Sequence, residues 1–263
     1  MPTSPDRDAG DVRRVALFPT CVGEVVDPDV PVAAVRVLRR AGCEVSVPEG
    51  LTCCGQPAWN SGFTADAARV ARTTLGALER ALEEGADAVV VPAGSCTTMV
   101  RLYWPQLFEL DGDPAAARRA RAVGDRCREL TELLAALPEG RRPGGTVEDE
   151  RVAYHRSCHM LRELHVEDQP EQLLAGVEGC SVQPWATAEQ CCGFGGTFSV
   201  KLPEASAAMA DEKLDTLPEG VRTIVGADAS CLLQLRSRAE TRGLPVRTEH
   251  IAQVLERAGE GPA

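Results

Sequence analysis

The chain has 263 residues, 44% of them hydrophobic and 25% charged, a balance that can bury a core and a length that suits one large domain or two modest ones. A formal net charge of −11 excludes the broad basic face that phosphate neutralisation needs, so nucleic-acid binding is not expected. Eleven cysteines cannot all pair within one molecule, and neither a secretory leader nor an apolar run of about 18 residues is present; the expectation is a soluble, cytoplasmic chain without a membrane span, whose cysteines serve metal or redox chemistry.

In chain order, residues 1–11, with Pro2, Pro5, Asp6 and Asp8, read as a disordered tail. The short apolar run Val15-Ala16-Leu17-Phe18 reads as a strand leading to Cys21. Val32, Val35 and Leu38 then share a helical face that stops at Gly42, and Cys43 opens the next strand before the Cys53-Cys54-Gly55 pair. A second helix carries Val70, Leu75, Leu78 and Leu82 and stops at Gly85; Val89-Val90-Val91 leads to Cys96. Ala120, Val123, Cys127, Leu130, Leu134 and Leu137 recur at three and four, which predicts one long amphipathic helix. The Pro/Gly-rich stretch Pro138 to Thr146 breaks that period and reads as a linker, placing a first domain at 12–146 and a second at 147–263.

The second half repeats the first. Cys21 precedes Cys53 by 32 positions and Cys96 follows Cys54 by 42; Cys158 precedes Cys191 by 33 and Cys231 follows Cys192 by 39. The run Val152-Ala153-Tyr154 leads to Cys158, and Thr223-Ile224-Val225 leads to Cys231 as the valine run leads to Cys96. Pro203 opens a helix through Leu214, and another follows Cys231 with Leu232 and Leu235. Alternating strand and helix written twice predicts an α/β fold of two pseudo-symmetric cysteine-rich halves, each a small, mostly parallel sheet flanked by helices.

In a parallel sheet, Cys21, Cys53, Cys54 and Cys96 emerge at one edge, where open α/β sheets place ligands; Cys158, Cys191, Cys192 and Cys231 do the same. Cys43 and Cys180 begin their strands and so lie at the opposite end as buried apolar cysteines, and Cys127 reads as helix core. Four converging thiolates need a cation. A [4Fe–4S] cluster, one or two per chain, suits an adjacent pair joined by two distant cysteines; tetrahedral zinc is the alternative, with metal-free redox thiols behind both. Gly55, Gly193, Gly195 and Gly196 would let backbone N–H groups approach cluster sulfur, or serve simply as turn residues. His155 and His159 flank Cys158 and offer ligands or proton carriers, with His159 read first as a helix cap. Trp59, Phe194 and Phe198 read as shields against water, or as ordinary core aromatics.

Cys53-Cys54-Gly55-Gln56-Pro57, Pro92-Ala93-Gly94-Ser95-Cys96-Thr97, Cys191-Cys192-Gly193-Phe194-Gly195-Gly196-Thr197-Phe198-Ser199-Val200-Lys201, Gly226-Ala227-Asp228 and Ser230-Cys231-Leu232 resemble the cysteine-rich CCG-domain family, within it the lactate utilization A subfamily. The resemblance implies a cytoplasmic iron–sulfur electron-transfer subunit of an L-lactate oxidation complex, working with a ferredoxin-type iron–sulfur subunit and a third small subunit. The wider family includes the cysteine-rich subunit of the heterodisulfide reductases, whose motifs end in Cys-x2-Cys and hold non-cubane clusters. Here Cys96 is followed by Thr97-Thr98-Met99 and Cys231 by Leu232-Leu233-Gln234, so a four-cysteine cubane, or a cluster with one non-cysteine ligand, is more economical. A thiol–disulfide reductase and a zinc-stabilised scaffold are the competing functions. Gly193-Phe194-Gly195-Gly196 lacks the spacing of a dinucleotide fingerprint.

Overall fold

The computed structural model describes residues 9–261. Most of the tail expected over residues 1–11 therefore lies outside the described residues, and Ala9–Asp11 form a single 3-10 turn. Eight strands follow: β1 (Arg14–Leu17), β2 (Glu44–Ser46), β3 (Ala88–Val91), β4 (Cys127–Glu129), β5 (Gly145–His155), β6 (Val177–Val182), β7 (Thr223–Gly226) and β8 (Arg247–His250). They form two four-stranded sheets, ordered β2-β1-β3-β4 and β6-β5-β7-β8, and every pairing within them is parallel. The identical order confirms the duplication read from the cysteine spacing. Central strands β3 and β7 are buried at all four positions, as expected where helices cover both faces of a parallel sheet.

The helix Asp29–Arg40 buries Val30, Ala33, Ala34, Val37 and Leu38, while Val32 is exposed; its buried stripe is rotated from the one read in the sequence and includes two alanines. The helix Thr64–Glu83 packs Leu75 and Leu78 inward, and the helices Pro203–Asp215 and Ala229–Thr241 lie where the sequence places them. The long helix expected from Ala120 to Leu137 is not formed. The helix Pro114–Gly124 ends, Cys127–Glu129 adds to the sheet as β4, and a new helix, Leu130–Ala136, starts at Glu129. Glu129 fixes that break, because its buried carboxylate accepts the Thr131 and Glu132 N–H groups while the Glu132 carboxylate accepts the Glu129 N–H, closing a capping box. Cys127 is fully buried, on a strand rather than a helix.

The stretch Pro138 to Thr146 is tied down. Arg141 donates to the carbonyl oxygens of Gly10, Val12 and Ala41 and to the Cys43 sulfur, and β5 already begins at Gly145. Side chains from the two sheets share one apolar core, with Leu17, Val37 and Leu134 from the first half and Val152, Leu174 and Leu255 from the second. Each sheet packs a further core on its other face. The last helix, Ile251–Glu260, crosses to the first half, where Arg40 donates to the Glu256 carbonyl at 2.7 Å and Arg36 pairs with the Glu256 carboxylate. Among the described residues, no helix is long and apolar enough to cross a membrane.

Candidate metal centre

In each sheet the connections leave the two central strands toward opposite edges, which opens a crevice at the carboxyl ends of β1 and β3, and again at β5 and β7. Cys21 begins the helix Cys21–Val26 just beyond β1, and Cys96 sits in the helix Gly94–Thr98 just beyond β3. Cys158 follows β5, and Cys231 lies in the first turn of Ala229–Thr241 after β7. The Cys53-Cys54 and Cys191-Cys192 pairs reach the same crevices from the loops that run into the next helices.

Each quartet forms a continuous row of thiols. In the first half the Cys21 and Cys53 sulfurs are 3.5 Å apart and those of Cys54 and Cys96 are 3.4 Å apart, with Cys53 also hydrogen-bonded to Cys54. The second half repeats the row as Cys158 to Cys191, Cys191 to Cys192 and Cys192 to Cys231. All eleven cysteines are free thiols. Cys54, Cys96, Cys192 and Cys231 are buried, while Cys21, Cys53, Cys158 and Cys191 remain partly open to solvent.

Gly55 and Gly193 occupy the left-handed region at φ 87° and 86°, and each donates its backbone N–H to a sulfur at 3.4 Å, Gly55 to Cys53 and Gly193 to Cys191. These bonds, together with those from neighbouring thiols, favour the anion. Cys53 is pulled well below the ordinary thiol range, chiefly by hydrogen bonds from Cys21 and then Cys54. Cys191 is pulled down in the same way by Cys158 and Cys192. Cys21 and Cys158 are pushed up by the bonds they make to those anions and by burial, and Cys54 and Cys192 likewise. In each half the hydrogen bonds thus favour the anion at one cysteine amid thiols, a soft donor set suited to a cation that would displace the remaining protons.

Both quartets line one cavity of about 220 Å³, together with Gln56, Ser95, His159, Phe194 and Asp228. Phe194 therefore shields it, whereas Trp59 stacks at 5.8 Å on Tyr103 and Phe198 packs against Gly195, neither of them at the cavity wall. His159 makes no cap bond to the helical turn Met160–Leu164. Its Nδ1 lies 3.7 Å from the Cys158 sulfur and its Nε2 3.3 Å from Gln56 Nε2, so it faces the site rather than the backbone. His155 is buried, with a ring nitrogen and the Cys192 and Cys231 sulfurs all within 4.8 Å of one another, a spacing a metal ion can bridge. Burial holds its imidazole neutral, with its pKa down to about 3, which leaves a nitrogen lone pair available.

Cys43 is buried at the start of β2, far along the strand from the crevice, as the sequence reading has it. Cys180 differs, lying within edge strand β6 and half-exposed. Gln56 and Asp228 fall inside the motifs quoted above without a role at the site being read for either, and Lys213 lies outside those motifs. Gln56 donates from the first half to the Ser95 carbonyl at 3.1 Å beside the second half's His159, and Asp228 joins the halves through Ser95. One signal was available for Lys213: it falls in register with Ala210 and Leu214 on a buried helical face.

A family model described as a cysteine-rich domain, CCG, matches residues 15–101 and 152–236. A lactate utilization protein A from an Exiguobacterium species is 42% identical over 242 residues, covering 92% of this chain and 96% of that protein. Another from a Geobacillus species is 40% identical over 243 residues, covering 92% and 98%. Among solved structures, a glutamate racemase from Francisella tularensis aligns over 94% of this chain and 79% of its own, at 11% identity and a TM-score of 0.34, too slight a likeness to carry an argument.

Proposed function

The chain belongs to the cysteine-rich CCG-domain family as a two-copy member akin to lactate utilization protein A, and on that premise we propose that it is an iron–sulfur electron-transfer subunit of a lactate utilization system. The observation that carries this reading is the convergence of eight cysteines, as two rows of four, on one cavity at the switch points of two duplicated sheets. Four thiols per half match the ligand number of a [4Fe–4S] cluster, and the shared cavity gives their side chains room to open around one. Such a cluster would supply one-electron chemistry.

The remaining roles fall to the chain itself. Cys21, Cys53, Cys54 and Cys96 would hold one cluster, and Cys158, Cys191, Cys192 and Cys231 the other. The Gly55 and Gly193 N–H groups donate to ligand sulfur, and such bonds raise reduction potential. Phe194 limits water, and the partly open outer cysteines leave a short path for an electron to a partner. A ferredoxin-type iron–sulfur subunit and a third small subunit are the partners this reading implies, with L-lactate oxidised elsewhere in the assembly. At the positions where a fifth cysteine would make a disulfide-cleaving site, Met99 is packed in the core and Gln234 donates to the Ser206 hydroxyl at 2.7 Å, which favours the electron carrier over a thiol–disulfide reductase.

One observation favours zinc as a second reading. Tetrahedral zinc with bonds of about 2.3 Å sets its sulfurs about 3.8 Å apart, close to the 3.4 and 3.5 Å seen in the first half. Anaerobic purification followed by iron, sulfide and zinc quantitation, with EPR after reduction, separates the two. Iron and sulfide in equal amounts, with a signal that appears on reduction, is the expected result; stoichiometric zinc without sulfide would overturn it.

A further inference from the structure

His155 is one of four histidines in the chain; it ends β5, three residues before Cys158, and is only 1% exposed. A ring nitrogen of His155 and the sulfurs of Cys192 and Cys231 all lie within 4.8 Å of one another, and all three residues are buried. Neither ring nitrogen makes a hydrogen bond. The Ala188 carbonyl acts on the ring, but it already accepts the Arg156 N–H at 3.0 Å and the Lys213 ammonium at 3.3 Å, which takes up both of its lone pairs. Trp185 packs across the ring at 6.5 Å between centroids, with its indole N–H spent on the Lys213 carbonyl and the Thr216 hydroxyl. A buried polar group without a partner is costly, and native folds rarely keep one without a use. His250, the other fully buried histidine, shows the ordinary solution, its Nδ1 accepting the Ala252 N–H at 3.1 Å.

The first half carries no such group. Strands β1 and β5 hold the same place in their sheets, and Phe18 precedes Cys21 by three residues as His155 precedes Cys158. Phe18 is fully buried in one apolar core with Cys54 and Cys96, the counterparts of Cys192 and Cys231. A hydrocarbon ring therefore packs with the inner cysteine pair of the first half, where an imidazole meets that of the second. His159 is a separate case. It lines the cavity beside the outer Cys158, whereas His155 is no part of the cavity wall and reaches the inner pair.

We propose that His155 is a metal ligand of the second half, a ring nitrogen binding the centre at its inner end, where Cys192 and Cys231 converge. The two halves then hold centres of different composition, all-cysteine in the first and cysteine with histidine in the second. The inference deepens the iron–sulfur reading above and rests on it. Imidazole suits iron and zinc alike, and iron–sulfur clusters accept it in place of thiolate. Each thiol gives up a proton when it binds the metal, while the neutral imidazole binds through its lone pair and releases none.

The test uses the full chain carrying Cys54→Ala, so that iron is held in the second half, grown on histidine labelled with the heavy nitrogen isotope and reconstituted anaerobically with ferrous iron and sulfide. Pulsed EPR of the reduced protein reads nitrogen bound to the cluster. A strong coupling to histidine nitrogen is expected, lost when His155→Phe is added, which copies the first half, and kept when His159→Gln is added. No such coupling in the loaded parent, a coupling that survives His155→Phe, or one lost with His159→Gln in a loaded chain would overturn the proposal. Should His155→Phe fail to take up iron, replacing the other three histidines one at a time assigns the nitrogen by elimination: a coupling kept in all three loaded chains upholds His155, and one lost in any of them overturns it. A chain that takes up zinc without sulfide sinks the iron–sulfur reading instead. The zinc X-ray absorption of Cys54→Ala then decides His155 separately, nitrogen in the ligand shell upholding it and sulfur alone overturning it.

Discussion

The carboxylate of Asp228, in the second half, accepts the backbone N–H of Ser95 in the first half at 2.8 Å, while its other oxygen accepts the N–H of Ser230 at 3.1 Å. One buried side chain thus caps two helices, Gly94–Thr98 and Ala229–Thr241, that carry Cys96 and Cys231. Ala93 stands opposite as its bridge partner. The two cysteine rows are held in register across the cavity by this joint rather than by apolar packing alone.

Asp228→Ala removes a helix cap and leaves two partly buried N–H groups without their acceptor. A lost cap costs about 0.5–2 kcal/mol and an orphaned donor about 1–3 kcal/mol, so a combined loss of about 2–4 kcal/mol is expected in urea unfolding. Asp228→Asn keeps an acceptor for one of the two and should lose about half as much. A variant as stable as the parent would show that the joint contributes nothing to holding the halves together.

If the two rows are separate ligand sets, their losses are separate as well. Cys54→Ala and Cys192→Ala should each halve the iron bound after anaerobic reconstitution, whereas Cys43→Ser and Cys127→Ser should keep the full complement. Cys127→Ser carries a stability cost of about 1–3 kcal/mol, since its site is sealed and apolar. Equal iron loss in all four variants would refute the ligand assignment.

The duplicated fold was legible because short apolar runs recur before cysteines at matched spacing, the pattern that inner strands of a covered parallel sheet show. Strand β4 was hidden. Its three residues, Cys127-Arg128-Glu129, alternate in and out, but they sit within leucines spaced at three and four, so a helical period absorbed them. What separates them is the Glu129 capping box, in which the Glu129 and Glu132 carboxylates each accept the other's backbone N–H, a pairing that no periodicity records. The convergence of the two cysteine quartets was likewise legible from strand ends. The contacts of Asp228 and Gln56 across the halves were not, because they depend on which half faces which. His159 was misread for a related reason: adjacency to a helix start suggests a cap, yet its partner Gln56 comes from the other half, 103 residues away.

Gly55→Ala and Gly193→Ala test whether the sulfur-facing turns need glycine. A Cβ would lie 2.8 Å from the Ala67 carbonyl at Gly55 and 2.5 Å from the Ser206 carbonyl at Gly193, both backbone atoms on packed helices, and φ is positive at each. Gly62, with φ 81° and nothing within 4 Å, isolates the backbone cost. Gly62→Ala should cost about 1 kcal/mol and leave iron binding intact; each of the other two should cost about 2–4 kcal/mol and weaken loading in its own half only. Equal stability loss in all three would mean that the close approach is accommodated.

Two buried groups away from the sulfurs set opposite pH dependences on folding. Burial raises the Glu129 carboxyl from its ordinary 4.5 to about 8, against the hydrogen bonds from Thr131 and Glu132 that favour the anion. Burial lowers His250 from 6.5 to about 4, and its neutral Nδ1 accepts the Ala252 N–H at 3.1 Å. For Glu129 the folded value lies above the unfolded one, so its contribution is complete below pH 4.5 and is lost as pH rises toward 8. For His250 the folded value lies below the unfolded one, so its contribution is complete above pH 6.5 and is lost as pH falls toward 4. Between 4.5 and 6.5 the two slopes oppose each other. Of these two groups only Glu129 titrates above 6.5, and its own contribution falls by about 2 kcal/mol by pH 8. Urea midpoints of the metal-free chain and of Glu129→Gln, which cannot ionise, measure it at pH 6.5 and 8: the stability of the variant relative to the parent is expected to rise by about 2 kcal/mol between the two. An unchanged alkaline slope in that variant would place the titrating group elsewhere.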